Sequence, residues 1–277
     1  MAPAQVVSFN PSTIPGLGCP LSSTDLDISR FTYNGLARVE DVRDLKSTHR
    51  EHIIALLGII DRHSMGKIFG IHSAHRHEEI PVGTVRLEED MSIRVLSRTT
   101  PAAMDAINPD TLHATVFQFI KNAYVGFEFA KGASPTAGAK VSPEFLTEIA
   151  KYLTDNKLNK LLALEVKDYS KLDAGGTAEI EVLWGNTSPF TIVVPISDLA
   201  NVDGLVQTGW SVPFAGLATD SDPPAGEYWN AVASGPRKGS HAVFVDSSES
   251  VTSEGLVKAL VDHGVFKAGL LSPMLKV

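Results

Sequence analysis

One short segment concentrates the side chains able to do acid–base or metal chemistry: His72-Ser73-Ala74-His75-Arg76-His77-Glu78-Glu79. On an extended strand, alternate side chains share a face. His75, His77 and Glu79 are therefore expected on one side, with His72, Arg76 and Glu78 on the other. Two imidazoles and a carboxylate are donor types that suit a divalent metal such as zinc or non-haem iron, and a His-x-His pair on a strand sets two nitrogens at equal depth. Glu79 offers the third ligand, and His113, His241 or a carboxylate from a neighbouring strand are further options. Without a metal, a His/Glu pair still suits general acid–base work, because imidazole titrates near neutral pH and a carboxylate fixes its tautomer. His75, His77, Glu79 and Arg76 are thus the candidate catalytic residues, with Arg76 or His72 assisting by charge or hydrogen bonding. His75, His77 and Glu79 are the candidate metal ligands. The alternative is a structural or interfacial sheet face in a non-catalytic binding or assembly module, with Arg76, Glu78 and Glu79 forming local ion pairs.

The elements that must position these residues follow from the period of the apolar pattern. Residues 1–36, rich in Pro, Gly and Ser, read as an extended N-terminal arm. Residues 37–277 read as a single domain, divisible into two sub-domains at the Gly/Pro/Ser-rich stretch 131–141. Thr48-His49-Arg50-Glu51 matches a capping box, followed by Ile53, Ile54, Leu57 and Ile60 at helical spacing, ending near His63. From Lys67 the period changes to two: a strand over 67–80, a turn at Pro81-Val82-Gly83 and a return strand over 84–95. Thr100-Pro101 is expected to open a short helix. Residues 115–120 and 124–129 form a second hairpin around Lys121-Asn122-Ala123, with a helix over 111–123 as the competing assignment. Ser142-Pro143-Glu144 caps a helix carrying Phe145, Leu146, Ile149 and Leu153. Strands follow near 161–168, 177–184, 190–196, 228–234 and 241–245, and a final helix starts at Thr252 and stops at Gly264. Strands without regular βαβ alternation imply the α+β class, mostly antiparallel sheet with a few flanking helices.

Composition narrows the function classes. A net charge of −8 and the absence of a clustered basic face argue against nucleic acid or an anionic membrane surface as partner. Cys19 is the single cysteine, which excludes an internal disulfide. No apolar run reaches the roughly 18 residues of a membrane span, and Met1 to Phe9 lacks the pattern of a secretory signal. A reducing, cytoplasmic compartment is the expectation. The sequence contains no nucleophile elbow, phosphate-cradling loop, dinucleotide fingerprint or His-Glu-x-x-His helix. That leaves an intracellular enzyme of lyase, isomerase or cyclase type acting on a small organic molecule. Trp210, Phe214, Tyr228 and Trp229, near Pro-rich turns, read either as core and loop-packing residues or as walls for an apolar ligand.

Two family patterns were compared with these residues. A cupin places its Pro-x-Gly turn and glutamate farther from the His-x-His pair than Pro81-x-Gly83 and Glu79 stand here, and the label is not adopted. Four short stretches do carry a resemblance: Ile68-Phe69-Gly70-Ile71 leading into His75-Arg76-His77; Gly126-Phe127-Glu128-Phe129; Pro223-Pro224-Ala225-Gly226 leading to Trp229; and Val257 through Gly264. In these the chain resembles a loosely defined group of filamentous-fungal hypothetical proteins. Members usually carry an aromatic residue after His-Arg-His, where this chain has Glu78. The resemblance implies a fungal source and names no reaction; some fungal hypothetical proteins are tailoring enzymes of secondary metabolism.

Overall fold

The structure is a computed structural model and describes residues 8–42, 44–90, 96–167, 177–184, 190–195, 199, 205–212, 230–233, 242–243, 258, 260–262 and 264–267. Its first surprise lies in the Pro/Gly-rich lead-in. Ser22 and Asp25 form a reciprocal capping box, the Ser22 N–H donating to Asp25 at 2.8 Å and the Asp25 N–H to Ser22 Oγ at 3.2 Å. This closes two of the orphan amides at a helix start and launches α1, Ser23–Asn34. The expected extended arm is therefore corrected: its second half is a helix that packs on the sheet through Leu26 and Tyr33.

The short β1, Ala37–Arg38, leads through a 3-10 turn to α2, Leu45–Thr48, and α3, Arg50–Arg62. The Thr48 hydroxyl contacts Asp44 O and His49 Nδ1 rather than the α3 amides, so the expected capping box does not form. Later, Ser142 Oγ accepts from the Phe145 N–H and starts α4, Pro143–Asp155. The apolar stripes of α3 (Ile53, Leu56, Leu57, Ile60) and α4 (Phe145, Leu146, Ile149, Leu153) join one core. Among the described residues no helix is long and apolar enough to cross a membrane.

The strands are β2 (Phe69–Ser73), β3 (His75–Arg76), β4 (Thr84–Asp90), β5 (Leu96–Ala103), β6 (Leu112–Ile120), β7 (Ala123–Lys131) and β8 (Leu162–Val166). They continue with β9 (Thr177–Trp184), β10 (Phe190–Pro195), β11 (Leu205–Ser211), β12 (Asn230–Ala233) and β13 (Ala242–Val243). The protein is of the α+β class with a mostly antiparallel sheet. Among the described residues the main sheet has eleven strands in the order β10-β5-β4-β7-β6-β8-β2-β11-β12-β9-β13, and β10 also pairs with β9. That extra pairing closes the sheet on itself, with β13 as a branch on β9. Ring closure satisfies the strand edges and encloses an interior.

Several local expectations change. The 67–80 strand splits into β2 and β3, and β2 pairs with β8 and β11 instead of returning to 84–90. No helix opens at Pro101, which lies inside β5 opposite Arg86. The β6–β7 hairpin forms as expected, its tight turn supplied by Lys121 (φ 48°) and Asn122 (φ 61°) in left-handed backbone. Gly126 is required there, because a Cβ would lie 2.5 Å from the Ala114 Cβ.

One sheet face is apolar and packs against the helices: Phe69, Ile71, Val85, Leu87, Phe117, Phe129, Leu164 and Val166 belong to the main core. Residues paired across the other face are of a different kind. Arg86 stands beside Glu128, Val116 beside Glu165, and Glu165 beside Gly70. Register shifts near Val116 interrupt the β6–β7 alternation, the usual device for re-aiming a strand side chain.

Candidate active site

The histidine segment is shaped by what holds its backbone. After β2 ends, the Ala74 N–H donates to Leu161 O at 2.8 Å, and β3 then pairs with β1. Beyond it, the C-terminal end of α1 acts as a clamp. Tyr33 Oη accepts from the His77 N–H at 3.0 Å, and Asn34 exchanges two hydrogen bonds with the Ile80 backbone at 2.9 and 3.0 Å. Arg76 Nε donates to Leu36 O at 3.0 Å, so Arg76 serves the backbone of this junction.

The break after Ser73 overturns the expected alternation. His72 and His75 lie on the same side, their rings stacked with centroids 5.3 Å apart and planes 14° apart, and His77 meets His75 edge-on at 4.9 Å. Glu79 leaves the group: its side chain is 71% exposed and pairs with Arg76 at 3.3 Å. The carboxylate that joins the histidines comes from β9, where Glu181 Oε2 lies 3.0 Å from His77 Nε2. His113 bonds Gly132 O through Nδ1 and does not line this cavity. His241 lies outside the described residues.

A cavity of about 60 Å³ opens at the cluster. The three imidazoles line it together with Glu88, Glu128, Glu165 and Glu181 from four different strands, the Thr115 and Thr191 hydroxyls, and Lys167. Val116 and Val166 are its aliphatic contributions. None of the four glutamates was singled out from the sequence. A signal was present, however: Phe127-Glu128-Phe129, Leu164-Glu165-Val166 and Ile180-Glu181-Val182 each set a carboxylate between large apolar residues on a strand. A charge in that setting faces an enclosed polar interior as readily as solvent.

Hydrogen bonds fix the ring tautomers. Ser73 O lies 2.8 Å from His72 Nδ1 and 2.9 Å from His75 Nδ1. A carbonyl only accepts, so both Nδ1 atoms carry the proton and both Nε2 atoms keep the lone pair. His77 is turned the other way. Its Nε2 pairs with Glu181, and Nδ1 is buried without a hydrogen-bond partner; in the neutral ring Nδ1 is the lone-pair nitrogen.

The electrostatics separate the members. Burial, reinforced by His77 and His72, pushes His75 well below its ordinary value, so it stays neutral. Burial alone would raise Glu181, but the charge of a protonated His77 and its hydrogen bond, with Arg86 adding to them, hold it down to about 2. Glu128 moves in the opposite direction, because burial raises it by more than Arg86 and the histidines lower it. The Arg86 side chain is 0% exposed, contacts Glu78 Oε1 through Nη1 at 2.6 Å and lies 5.4 Å over the Tyr33 ring. Burial of Tyr33 pushes its hydroxyl up to about 12, so it remains a neutral donor and acceptor.

Comparison with known proteins returns no matching family model, no matching curated protein and no matching solved structure. The chemistry of the cavity therefore rests on its own residues. Among the described residues, one group can hold a metal ion: His75, His77 and Glu181, whose ligand atoms all lie within 4.8 Å of one another. The same residues can also move a proton without a metal, as a carboxylate–imidazole pair beside a neutral second imidazole.

Proposed function

We propose that the protein is an intracellular enzyme that moves a proton on a small organic molecule held inside the strand ring, in a reaction of lyase or isomerase type. The observation carrying this reading is the state of His77. Its Nε2–H is committed to Glu181 at 3.0 Å, while Nδ1 is buried, unpartnered and on a ring that lines the cavity. A buried polar atom without a partner costs free energy, and an atom so placed is available to accept a proton from a ligand. The carboxylate fixes the tautomer and stabilises the imidazolium that forms. Carboxylates, imidazoles and hydroxyls dominate the lining, which favours a polar ligand over the apolar one suggested by the aromatic residues.

The test is a conversion screen. Purified protein and its His77→Gln variant are each incubated with a small-molecule extract, and the products are compared by chromatographic retention and mass. Wild type is expected to convert at least one compound, to an isomer of equal mass or to a product differing by water, and His77→Gln to leave it untouched. Conversion by the variant at the wild-type rate would refute the role of His77. A second reading is favoured by the His75–His77–Glu181 grouping: these three hold zinc or iron, with Glu181 in the place first assigned to Glu79. Chelator-free purification followed by elemental analysis decides it, since less than about a tenth of an equivalent of metal rules it out.

A further inference from the structure

The cavity holds a second carboxylate whose setting is the reverse of that of Glu181. Glu128 lies on β7 between Phe127 and Phe129, both buried in apolar cores, and it lines the cavity. Its nearest cation is Arg86 on the adjoining strand, but the gap from Arg86 Nε to Glu128 Oε1 is 4.0 Å, beyond hydrogen-bond length. Arg86 commits Nη1 to Glu78, while Nε and Nη2 are buried without partners. The guanidinium thus stands behind Glu128 at ion-pair distance, without a hydrogen bond to it and with two donors in reserve.

We propose that Glu128 is the proton donor of this site, that Arg86 is its positioning residue, and that the reaction class is removal of water from a β-hydroxy carbonyl compound. This deepens the proton-transfer function and rests on it. His77 Nδ1 takes the proton from the carbon between the carbonyl and the hydroxyl-bearing carbon. The C–H electron pair becomes the new C=C bond. The C–O bond breaks with its pair on oxygen, which takes the proton of Glu128 and leaves as water. Glu128 is then an anion beside the Arg86 Nε–H and Nη2–H, and proton return from His77 through solvent resets the pair. The groups facing Glu128 are Arg86 from β4, His72 from β2, His77 from the following loop and Glu181 from β9. Burial outweighs the cations among them and raises Glu128.

Two measurements on the full-length protein test the assignment. In protein labelled with [5-13C]glutamate, the resonance missing from Glu128→Gln should titrate above the ordinary 4.5, and Arg86→Gln should move it higher still. A midpoint at or below the ordinary value overturns the proposal, whatever the substrate. The second measurement uses a library of small β-hydroxy ketones and β-hydroxy acids in D2O, followed by mass spectrometry. Wild type should exchange the carbon-bound hydrogen and lose water. Glu128→Gln should keep the exchange and lose water at least about 100-fold more slowly, the usual size of a general-acid contribution. Water loss by Glu128→Gln at the wild-type rate overturns the role of Glu128 and leaves that of His77 standing. Failure of wild type to exchange any member overturns the β-hydroxy carbonyl substrate class, and the extract screen with His77→Gln then decides the proton-transfer function separately.

Discussion

Two His–Glu pairs in this molecule have nearly the same contact distance and opposite settings. On the surface, the α3 cap residue His63 meets Glu148 of α4 at 2.9 Å, and Arg62 joins them at 2.5 Å. In the interior, His77 meets Glu181 at 3.0 Å. The surface side chains are 23% and 42% exposed; the interior ones are 5% and 18%. Hydrogen bonding to His63, helped by Arg62, lowers Glu148. At Glu181 a burial penalty must first be overcome, and the group still falls to about 2. Proximity is therefore a poor mark of a site. What distinguishes the interior pair is a second imidazole nitrogen with no partner and a cavity beside it.

The largest expected effect separating the pairs is on stability. Removing one member of a buried pair strands the other, at a cost of about 3–5 kcal/mol, whereas an exposed pair contributes up to about 1 kcal/mol. In urea unfolding, Glu181→Ala should lose at least about 3 kcal/mol and Glu148→Ala less than about 1 kcal/mol. Equal losses would remove the distinction.

A smaller effect concerns acid. The folded-state value of His75 lies below its ordinary 6.5, so the unfolded chain binds a proton there first and stability begins to fall as pH drops below 6.5. Glu181 stabilises fully above its ordinary 4.5, and that contribution disappears as pH falls from 4.5 through about 2. Melting temperature should therefore decline in two stages on acidification. Glu181→Gln should flatten the lower stage, and His75→Gln the upper one. A profile indifferent to both substitutions would contradict the interior electrostatics.

The smallest effect is expected at Glu79, which sequence alternation placed beside His75 and His77. Its exposed side chain and its single surface pair with Arg76 imply that Glu79→Ala changes stability by no more than about 0.5 kcal/mol. Metal content and conversion should also match wild type. A loss of either would return Glu79 to the site.

Local chemistry made much of the fold legible. The Ser142 cap, the two-residue turn at Lys121-Asn122 and the strand segments near 162–166, 177–184 and 190–195 all follow from patterns within a few residues. The site was legible by half. His75 and His77 stand out by type and spacing, but their third partner is a matter of ring closure, which no local period encodes. The misplaced face of His72 has a local cause: one irregular residue, Ala74, turns the chain toward β1, and alternation fails beyond it. The α1 helix was missed because prolines and glycines upstream masked the Ser22–Asp25 cap.

The pairing of β10 with both β5 and β9 has a temporal side. About a hundred residues separate the His77 loop from Glu181, so their meeting is a high-contact-order event of the kind that comes late in folding. At translation rates of about 5–20 residues per second, the histidines wait several seconds for their carboxylate to be synthesised. A chain halted at β8 therefore has the histidines and lacks Glu181, and the His77–Glu181 pair cannot form until β9 has been added.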